Sequence, residues 1–333
     1  MQLEEIIAIT FQKLKNSEVK DIIDKRIPFN IKKENIQKAK EIIDKCKSKA
    51  IGIISFLDKD YPEELKKVYY PPLIIYYRGN LEVLKKRKIG IIGTRKPTKY
   101  GREVAYEFSK KITKHGIVIT SGGARGIDTI AHKGSIDADG ETICVLGSGI
   151  DVVYPPENKR IFKEIEKRGI ILSEYPPGTK PFSHHFPMRN RIIAGLSELI
   201  LVVEAGEKSG TFITVKWALE MGKDIFVIPG EIYSPKSKGP NFLLKQGAIP
   251  ATEPSDILSF MGIEEKEKQR ELKLEEKEKK IFDYLKEKSK ANIDEMKENL
   301  KIETGEILSI LLSLEIKGVI RNEGQGFYSL KGI

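Results

Sequence analysis

The sequence has little of what metal and redox sites are made from: two cysteines and four histidines in 333 residues. Cys46 and Cys144 stand far apart, with no CxxC or Cys–His spacing. That argues against a disulfide scaffold and a zinc module and fits a reducing compartment. No apolar run approaches the roughly 18 residues of a membrane span. The opening stretch MQLEEIIAITFQKL is acidic and amphipathic rather than a basic segment followed by an apolar one. No signal peptide or membrane segment is therefore expected, and the expected compartment is the cytoplasm. The chain also lacks GxxxxGK[ST], which argues against P-loop hydrolysis. It lacks GxGxxG: the first glycine turn reads GIIGTRKPTKYG, and no acidic residue ends the next strand. A dinucleotide site is not expected.

What is abundant is charge. Lys and Arg number 58 against 48 Asp and Glu, a net +10. A basic balance of that size fits a polyanionic partner, and it fits equally a solubility trait.

Three textures divide the chain. Residues 1–80 read as a small helical, SAM-like domain and connector. EEIIAITFQKL and KENIQKAKEIIDKC carry apolar residues at helical spacing, and the short apolar strand LIIYYRG follows Pro71 and Pro72. Residues 81–262 alternate: KIGIIGT, IVITSGG, ETICVLGSG, IILSEYP, ELILVVEAG and DIFVIPG are near-continuous apolar strands separated by amphipathic helices. That pattern implies a doubly wound parallel sheet of Rossmann-like α/β type, covered on both faces. Residues 263–275 read as a charged linker. Residues 276–333 give helix, helix, longer helix, then VIRNEGQGFYSL as a two-stranded wing, a winged-helix domain. Its default reading is DNA binding. The third helix, GEILSILLSLEIKG, lacks the Arg and Asn that read base edges, which favours a protein contact or a structural cap.

In a doubly wound sheet, ligands sit beyond the carboxyl ends of the strands. The residues there are Gly93-Thr94-Arg95, the run Ser121 to Gly126, Gly147-Ser148-Gly149, and Lys208-Ser209-Gly210-Thr211. Each loop alone reads as a tight turn. Several converging on one sheet edge read as an anion site of backbone N–H groups, hydroxyls and arginines. Asp128 and Asp151 follow glycine loops and read as helix caps more readily than as acids. His115 and His132 lie on expected helices and read as surface residues. His184 and His185 have no HExxH or carboxylate cluster beside them, so no metal is expected.

The stretch FSHHFPMRNRIIAG, residues 182–195, places aromatics just before a helix that opens with Arg189, Asn190 and Arg191. Phe182 and Phe186 can stack bases, and Phe186 can equally plug the core. Arg189 and Arg191 point about 200° apart on a helix, so one can face a phosphate while the other pairs structurally, for instance with Glu204. Stacking combined with cations is how single strands are held without sequence preference.

GTRKPTKYG, ITSGGARGIDTIAHKGSI, TICVLGSGIDVVYPPENKRIF, the run from ILSEYPPGTK to DIFVIPG, and GPNFLLKQGAI closely resemble the DNA-processing protein A (DprA/Smf) family over about residues 50–260. The resemblance implies a non-enzymatic protein that binds incoming single-stranded DNA, shields it, and loads the RecA recombinase onto it during natural transformation. It implies no cofactor and a homodimer formed through the Rossmann-like core. The family's pocket falls on Arg95, Ser121, Gly122, Arg125, Lys180 and the aromatics beside it, Arg189, Asn190, and Lys208 to Thr211. With the strand-end residues, the full expected DNA-binding set adds Gly93, Thr94, Gly123, Gly126, Gly147, Phe182, Phe186 and Arg191. Two departures stand out: residues 1–80 lack the glycine-hairpin pattern of relatives, and His184-His185 match no family motif. The same fold type includes lysine-decarboxylase-like nucleotide phosphoribohydrolases, the alternative reading. Their PGGxGTxxE loop resembles AGEKSGTFITVKWA here, with Gly210-Thr211 kept but Ile213 and Thr214 where the glutamate would stand. Without that carboxylate an oxocarbenium-like transition state loses its electrostatic partner.

Overall fold

Apolar strands with no solvated face need cover on both sides, and the computed structural model supplies it. It describes residues 1–12, 14–23, 31–263, 274–317, 319–324 and 326–330. These form two units, Met1–Glu264 and Glu265–Ile333.

In the first unit the chain runs through α1 (Leu3–Thr10), α2 (Asn16–Ile23), α3 (Lys33–Ser48), β1 (Gly52–Ser55), α4 (Glu63–Lys66) and β2 (Ile74–Gly79). The alternating region follows: β3 (Lys88–Ile92), α5 (Lys99–Thr113), β4 (Val118–Ser121), α6 (Ile127–Asp137), β5 (Thr142–Leu146), α7 (Lys159–Arg168), β6 (Ile170–Ser173), α8 (His185–Leu196), β7 (Leu199–Val202), α9 (Thr211–Glu220) and β8 (Asp224–Val227). It closes with α10 (Lys238–Lys245), β9 (Ile249–Pro250) and α11 (Pro254–Phe260).

One sheet takes the order β1-β2-β6-β5-β4-β3-β7-β8-β9, parallel from β6 to β9. The winding reverses between β3 and β7, which makes their carboxyl ends the switch point where such sheets bind ligands. Residue alternation divides the core in two. Ile89, Ile91, Leu199 and Leu201 face one buried cluster with α5, α6 and α11. Ile92, Ile200 and Val202 face the other, with α8 and α9.

Residues 1–80 do not stand apart from this core. β2 pairs antiparallel with β6, Tyr76 opposite Ser173, and β1 pairs with β2. Ile6, Ile7 and Ile9 of α1 belong to the same buried cluster as Ile143 and Leu172 of the sheet. A helix this short buries its apolar face only against a larger surface, so the segment extends the core.

Two further expectations are corrected. His132 is wholly buried. Its Nδ1 lies 2.7 Å from Thr142 Oγ1, which itself donates to Ile119 O, so Nδ1 carries the proton. Burial lowers its pKa to about 3. Its ring therefore lies on the sheet side of α6, against β5, and a polar residue inside the helix's buried stripe is what helical periodicity alone does not reveal. Helix α8 also begins at His185, four residues before the expected Arg189. Pro187 in its first turn is compatible with that start, because a first-turn N–H has no helical partner to lose.

In the second unit, α12 (Glu276–Lys288), β10 (Lys290–Asn292), α13 (Ile293–Leu300), α14 (Thr304–Ile316), β11 (Ile320–Gly324) and β12 (Phe327–Leu330) follow the winged-helix outline. The wing has a third strand, since β10 pairs with β12 to give β10-β12-β11. Of the expected linker 263–275, residues 264–273 lie outside the described residues.

Glu278 of α12 is buried in this small core. It pairs with Lys317 at 2.6 Å and accepts from Ser313 Oγ at 2.7 Å and Glu275 N at 2.9 Å. Those donors, Lys317 first, lower its pKa from 4.5 to about 2. A folded pKa below the unfolded one stabilises the unit above the unfolded value and loses that contribution as pH falls through the folded one. Melting of the Glu265–Ile333 unit should therefore lose stability between pH 4.5 and about 2, and Glu278→Gln should flatten that loss; calorimetry across this range in both proteins checks it.

Candidate functional site

At the switch point lies an open cleft of about 610 Å³. Gly93 and Arg95 line it from the end of β3, Ala124 and Asp128 from the loop after β4 and the start of α6. Phe186, Pro187, Arg189 and Asn190 come from α8, and Ser209, Gly210, Thr211, Ile213 and Thr214 from the loop before α9 and its first turn. Tyr154 lines both the cleft and a smaller recess beside it, which adds Gly122, Arg125 and Gly147.

Arg189 is the floor. It is 5% exposed, and its guanidinium donates to Gly122 O at 2.6 Å, to Asn190 Oδ1 at 3.1 Å and to Val145 O. It thus ties the ends of β4 and β5 together from α8. Gly122 is required there: a Cβ would come within 2.7 Å of Arg189 Nη2. Asp128, also buried, accepts from Gly122 N at 3.2 Å and Ala124 N at 3.3 Å. Burial raises the Asp128 pKa and lowers that of Arg189, and each charge opposes the shift of the other. The carboxylate was expected as a helix cap. Its actual work is on the backbone amides of the glycine loop.

Phe186 stands above this floor, half-buried. The Arg95 and Arg189 guanidinium carbons lie 5.8 and 5.9 Å from its ring centroid, and the Tyr154 ring 5.6 Å away. Its ring lies against Gly147, where a Cβ would meet Phe186 Cδ1 at 2.7 Å. Phe186 is therefore a wall of the cleft rather than a core plug. Tyr154 was missed; the signal was an aromatic in the loop after β5, at a strand's carboxyl end. Arg95 is exposed, with no ion pair among the described residues.

Several expected residues lie elsewhere. Arg191 is corrected outright: its side chain is 0% exposed. It pairs with Glu174 at 2.6 Å, not with Glu204, and donates to Tyr70 O and Met188 O, each at 2.8 Å. Helical geometry turns it away from Arg189 and into the core. Glu204 instead accepts from Thr98 N at 2.9 Å and Thr98 Oγ1 at 2.5 Å, holding the start of α5. Ser121 is buried and its hydroxyl donates to Ile91 O, so it holds β4 to β3 and offers no proton to a ligand. Thr94 N donates to Glu204 O and Thr94 O accepts from Ile127 N, a structural turn. Gly123 and Gly126 are turn positions at φ +62° and +80° beneath the cleft. Arg125 lines the recess but is paired with Glu157.

Lys180, Phe182 and Lys208 are exposed beside cleft-lining neighbours, outside the cleft itself. Phe182, 49% exposed, stacks on His184 at 5.8 Å. His185 stacks on Tyr175 at 3.8 Å and donates from Nδ1 to Gly147 O at 3.2 Å. Burial and then His184 lower its pKa. The histidine pair thus belongs to an aromatic rim. Cys144 lies beneath Gly123, and burial pushes its thiol up to about 12, far from the thiolate a nucleophile needs. Among the described residues no group of three or more His, Cys, Asp or Glu could hold a metal ion.

The fold is thus a Rossmann-like, mostly parallel sheet with a cleft at its switch point, glycine-lined and flanked by guanidinium and aromatic groups. The model of the DNA recombination-mediator protein A family matches residues 52–262, and the chain belongs to that family. DNA processing protein DprA of Bacillus subtilis is 46% identical over 212 residues, 63% of this chain and 71% of the relative. The X-ray structure of DNA processing protein A from Streptococcus pneumoniae superposes with TM-score 0.63 at 35% identity, covering 77% of this chain and 92% of that one. DNA processing protein A from Helicobacter pylori, whose structure concerns its single-stranded DNA binding mode, gives TM-score 0.57 at 30% identity, covering 63% and 95%.

The Arg191 contacts carry a prediction. Arg191→Ala leaves the Glu174 carboxylate without its partner and removes the guanidinium bonds to Tyr70 O and Met188 O. It should cost about 3 kcal/mol or more, read as a lower urea midpoint with unchanged slope.

Proposed function

We propose that this protein binds single-stranded DNA without processing it chemically, holding the strand in the switch-point cleft. The observation that carries this reading is the half-buried Phe186 ring in the cleft wall, with the Arg95 and Arg189 guanidinium carbons 5.8 and 5.9 Å from its centroid. A ring face flanked by cations offers a base something to stack on and a phosphate something to pair with, and stacking is worth about 1–3 kcal/mol per base. Membership of a DNA recombination-mediator family and the single-strand binding of the Helicobacter pylori relative support the same reading. We propose further that the bound strand is protected and passed to a RecA recombinase during transformation and recombination, by a homodimer formed through the Rossmann-like core in the cytoplasm. Among the described residues no helix is long and apolar enough to cross a membrane.

The phosphoribohydrolase alternative has one observation in its favour, the Asp128 carboxylate in the cleft wall. That carboxylate accepts the amides of Gly122 and Ala124, and Ile213 and Thr214 line the wall where a catalytic glutamate would be needed. Prolonged incubation with nucleoside monophosphates should release no free base by chromatography.

The second unit fits a protein contact. α14 exposes Leu308, Leu312 and Ile316 at four-residue spacing, one apolar face with no base-reading side chain. Deleting residues 265–333 should leave most single-strand affinity in place.

Arg95 is the cleanest test of the cleft because it is exposed and holds no other element. Arg95→Ala should weaken single-strand binding and reduce the salt slope by about one counterion. Fluorescence anisotropy over a salt series checks it. Equal affinity of the wild type for duplex and single strand would refute the proposal.

A further inference from the structure

We infer that Glu157 competes with the strand's phosphates for Arg125 and so sets how quickly the cleft releases a strand; the inference rests on the single-strand reading above. The recess beside the cleft belongs to the same site, since Arg95, Ala124, Tyr154, Phe186 and Arg189 line both. Three guanidinium groups meet at it, those of Arg95, Arg125 and Arg189. They differ in what holds them. Arg189 is buried and committed to the carbonyls of Gly122 and Val145. Its nearby countercharge, Asp128, is also buried and bound to two loop amides, so it has nowhere to go. Arg95 is exposed and has no ion pair among the described residues. Arg125 alone is both exposed and paired, and its pair is one that can open.

Arg125 donates from Nε to one carboxylate oxygen of Glu157 and from Nη2 to the other, the second at 3.2 Å. A guanidinium takes a phosphate through the same two-pronged contact. Glu157 therefore occupies an edge of Arg125 that a phosphodiester would use. Arg125 lines the recess and Glu157 does not, so the carboxylate reaches the guanidinium from outside the binding space. The two side chains are 60% and 49% exposed, and neither has a second ion-pair partner among the described residues. Hydrogen bonding from Arg125 holds the Glu157 carboxyl below its ordinary range, so the rival is fully charged at neutral pH. Exposed ion pairs of this kind contribute little to stability, and solvent receives the carboxylate when the pair opens.

The pair is not what fastens this loop. Asn158, the next residue, is buried, and its Nδ2 donates to Gly123 O and to Thr129 Oγ1, each at 2.8 Å. That amide ties the short turn Pro156–Asn158 to the glycine loop and to α6. Glu157 is thereby kept within reach of Arg125 whether the pair is closed or open. A phosphate arriving at the recess takes the guanidinium from Glu157. When that phosphate lifts away, the tethered carboxylate retakes the guanidinium at high effective concentration, ahead of rebinding. The exchange is one anion for another on a single cation, with no proton moved.

The test uses the full chain and a labelled oligothymidine of about twenty nucleotides, long enough to span one binding fold. Stopped-flow anisotropy at about 0.15 M salt gives association and dissociation rates separately. Glu157→Gln should slow dissociation about two- to fivefold while leaving association nearly unchanged. Glu157→Ala, which removes the acceptor as well, should slow it at least as much. Both variants should keep the wild-type urea midpoint. Arg125→Ala should weaken binding and reduce the salt slope by about one counterion. A change confined to association in the Glu157 variants would make the carboxylate a long-range charge and overturn the competition. An unchanged affinity and salt slope in Arg125→Ala would overturn it too, since Arg125 would then stay with Glu157. In either case Arg95→Ala still weakens binding and the cleft reading stands. If the wild type binds no strand, the cleft reading itself fails, and the competition with it.

Discussion

One buried guanidinium organises the functional end of the molecule. Arg189 reaches from α8 under the sheet edge and binds carbonyls at the ends of two different strands, Gly122 after β4 and Val145 in β5. A charge so buried is stable only with its donors satisfied and a countercharge near. The carbonyls satisfy donors, and Asp128 supplies the opposing charge while gripping the amides of the same glycine loop. Helix, two strand ends and loop are thereby fixed together, and the shape of the cleft above them follows. The glycine at 122 is then a steric condition for the arginine rather than a ligand-binding feature in its own right.

That arrangement explains which parts of the site were legible in the sequence. The sheet was readable because strands buried on both faces are continuously apolar, and β3, β4, β5 and β7 are buried along their whole length. The position of the cleft followed from topology and glycine placement. The division of labour among polar residues was not legible. Ser121, Arg191 and Arg95 look alike as phosphate partners in a linear sequence, but the first two spend their donors inside the fold. Only the packing around a side chain decides whether its hydrogens face a ligand or a carbonyl. His132 teaches the same lesson: on an amphipathic helix it looks like a surface residue, but it points into the sheet and meets Thr142 of β5. The amino-terminal helices were legible as helices, while their attachment through β1 and β2 depends on a long-range antiparallel pairing that no local pattern encodes.

The titratable groups at the cleft are already engaged within the fold. Its carboxylate accepts loop amides, its nearest thiol is kept protonated by burial, and its histidine rim is stacked into aromatic contacts. Its exposed elements are Arg95, which has no ion pair among the described residues, and glycine and hydroxyl groups at the start of α9, beside the half-buried Phe186 wall.

The nine-stranded sheet ends in short strands on both sides. At one end β1 is four residues long and runs against its neighbour; at the other β9 is two residues long and finishes in Pro250, which has no amide hydrogen to give. Both margins are blunted against further strand addition. Backbone pairing with a further strand is therefore disfavoured at both margins, and the sheet ends where its own chain ends it.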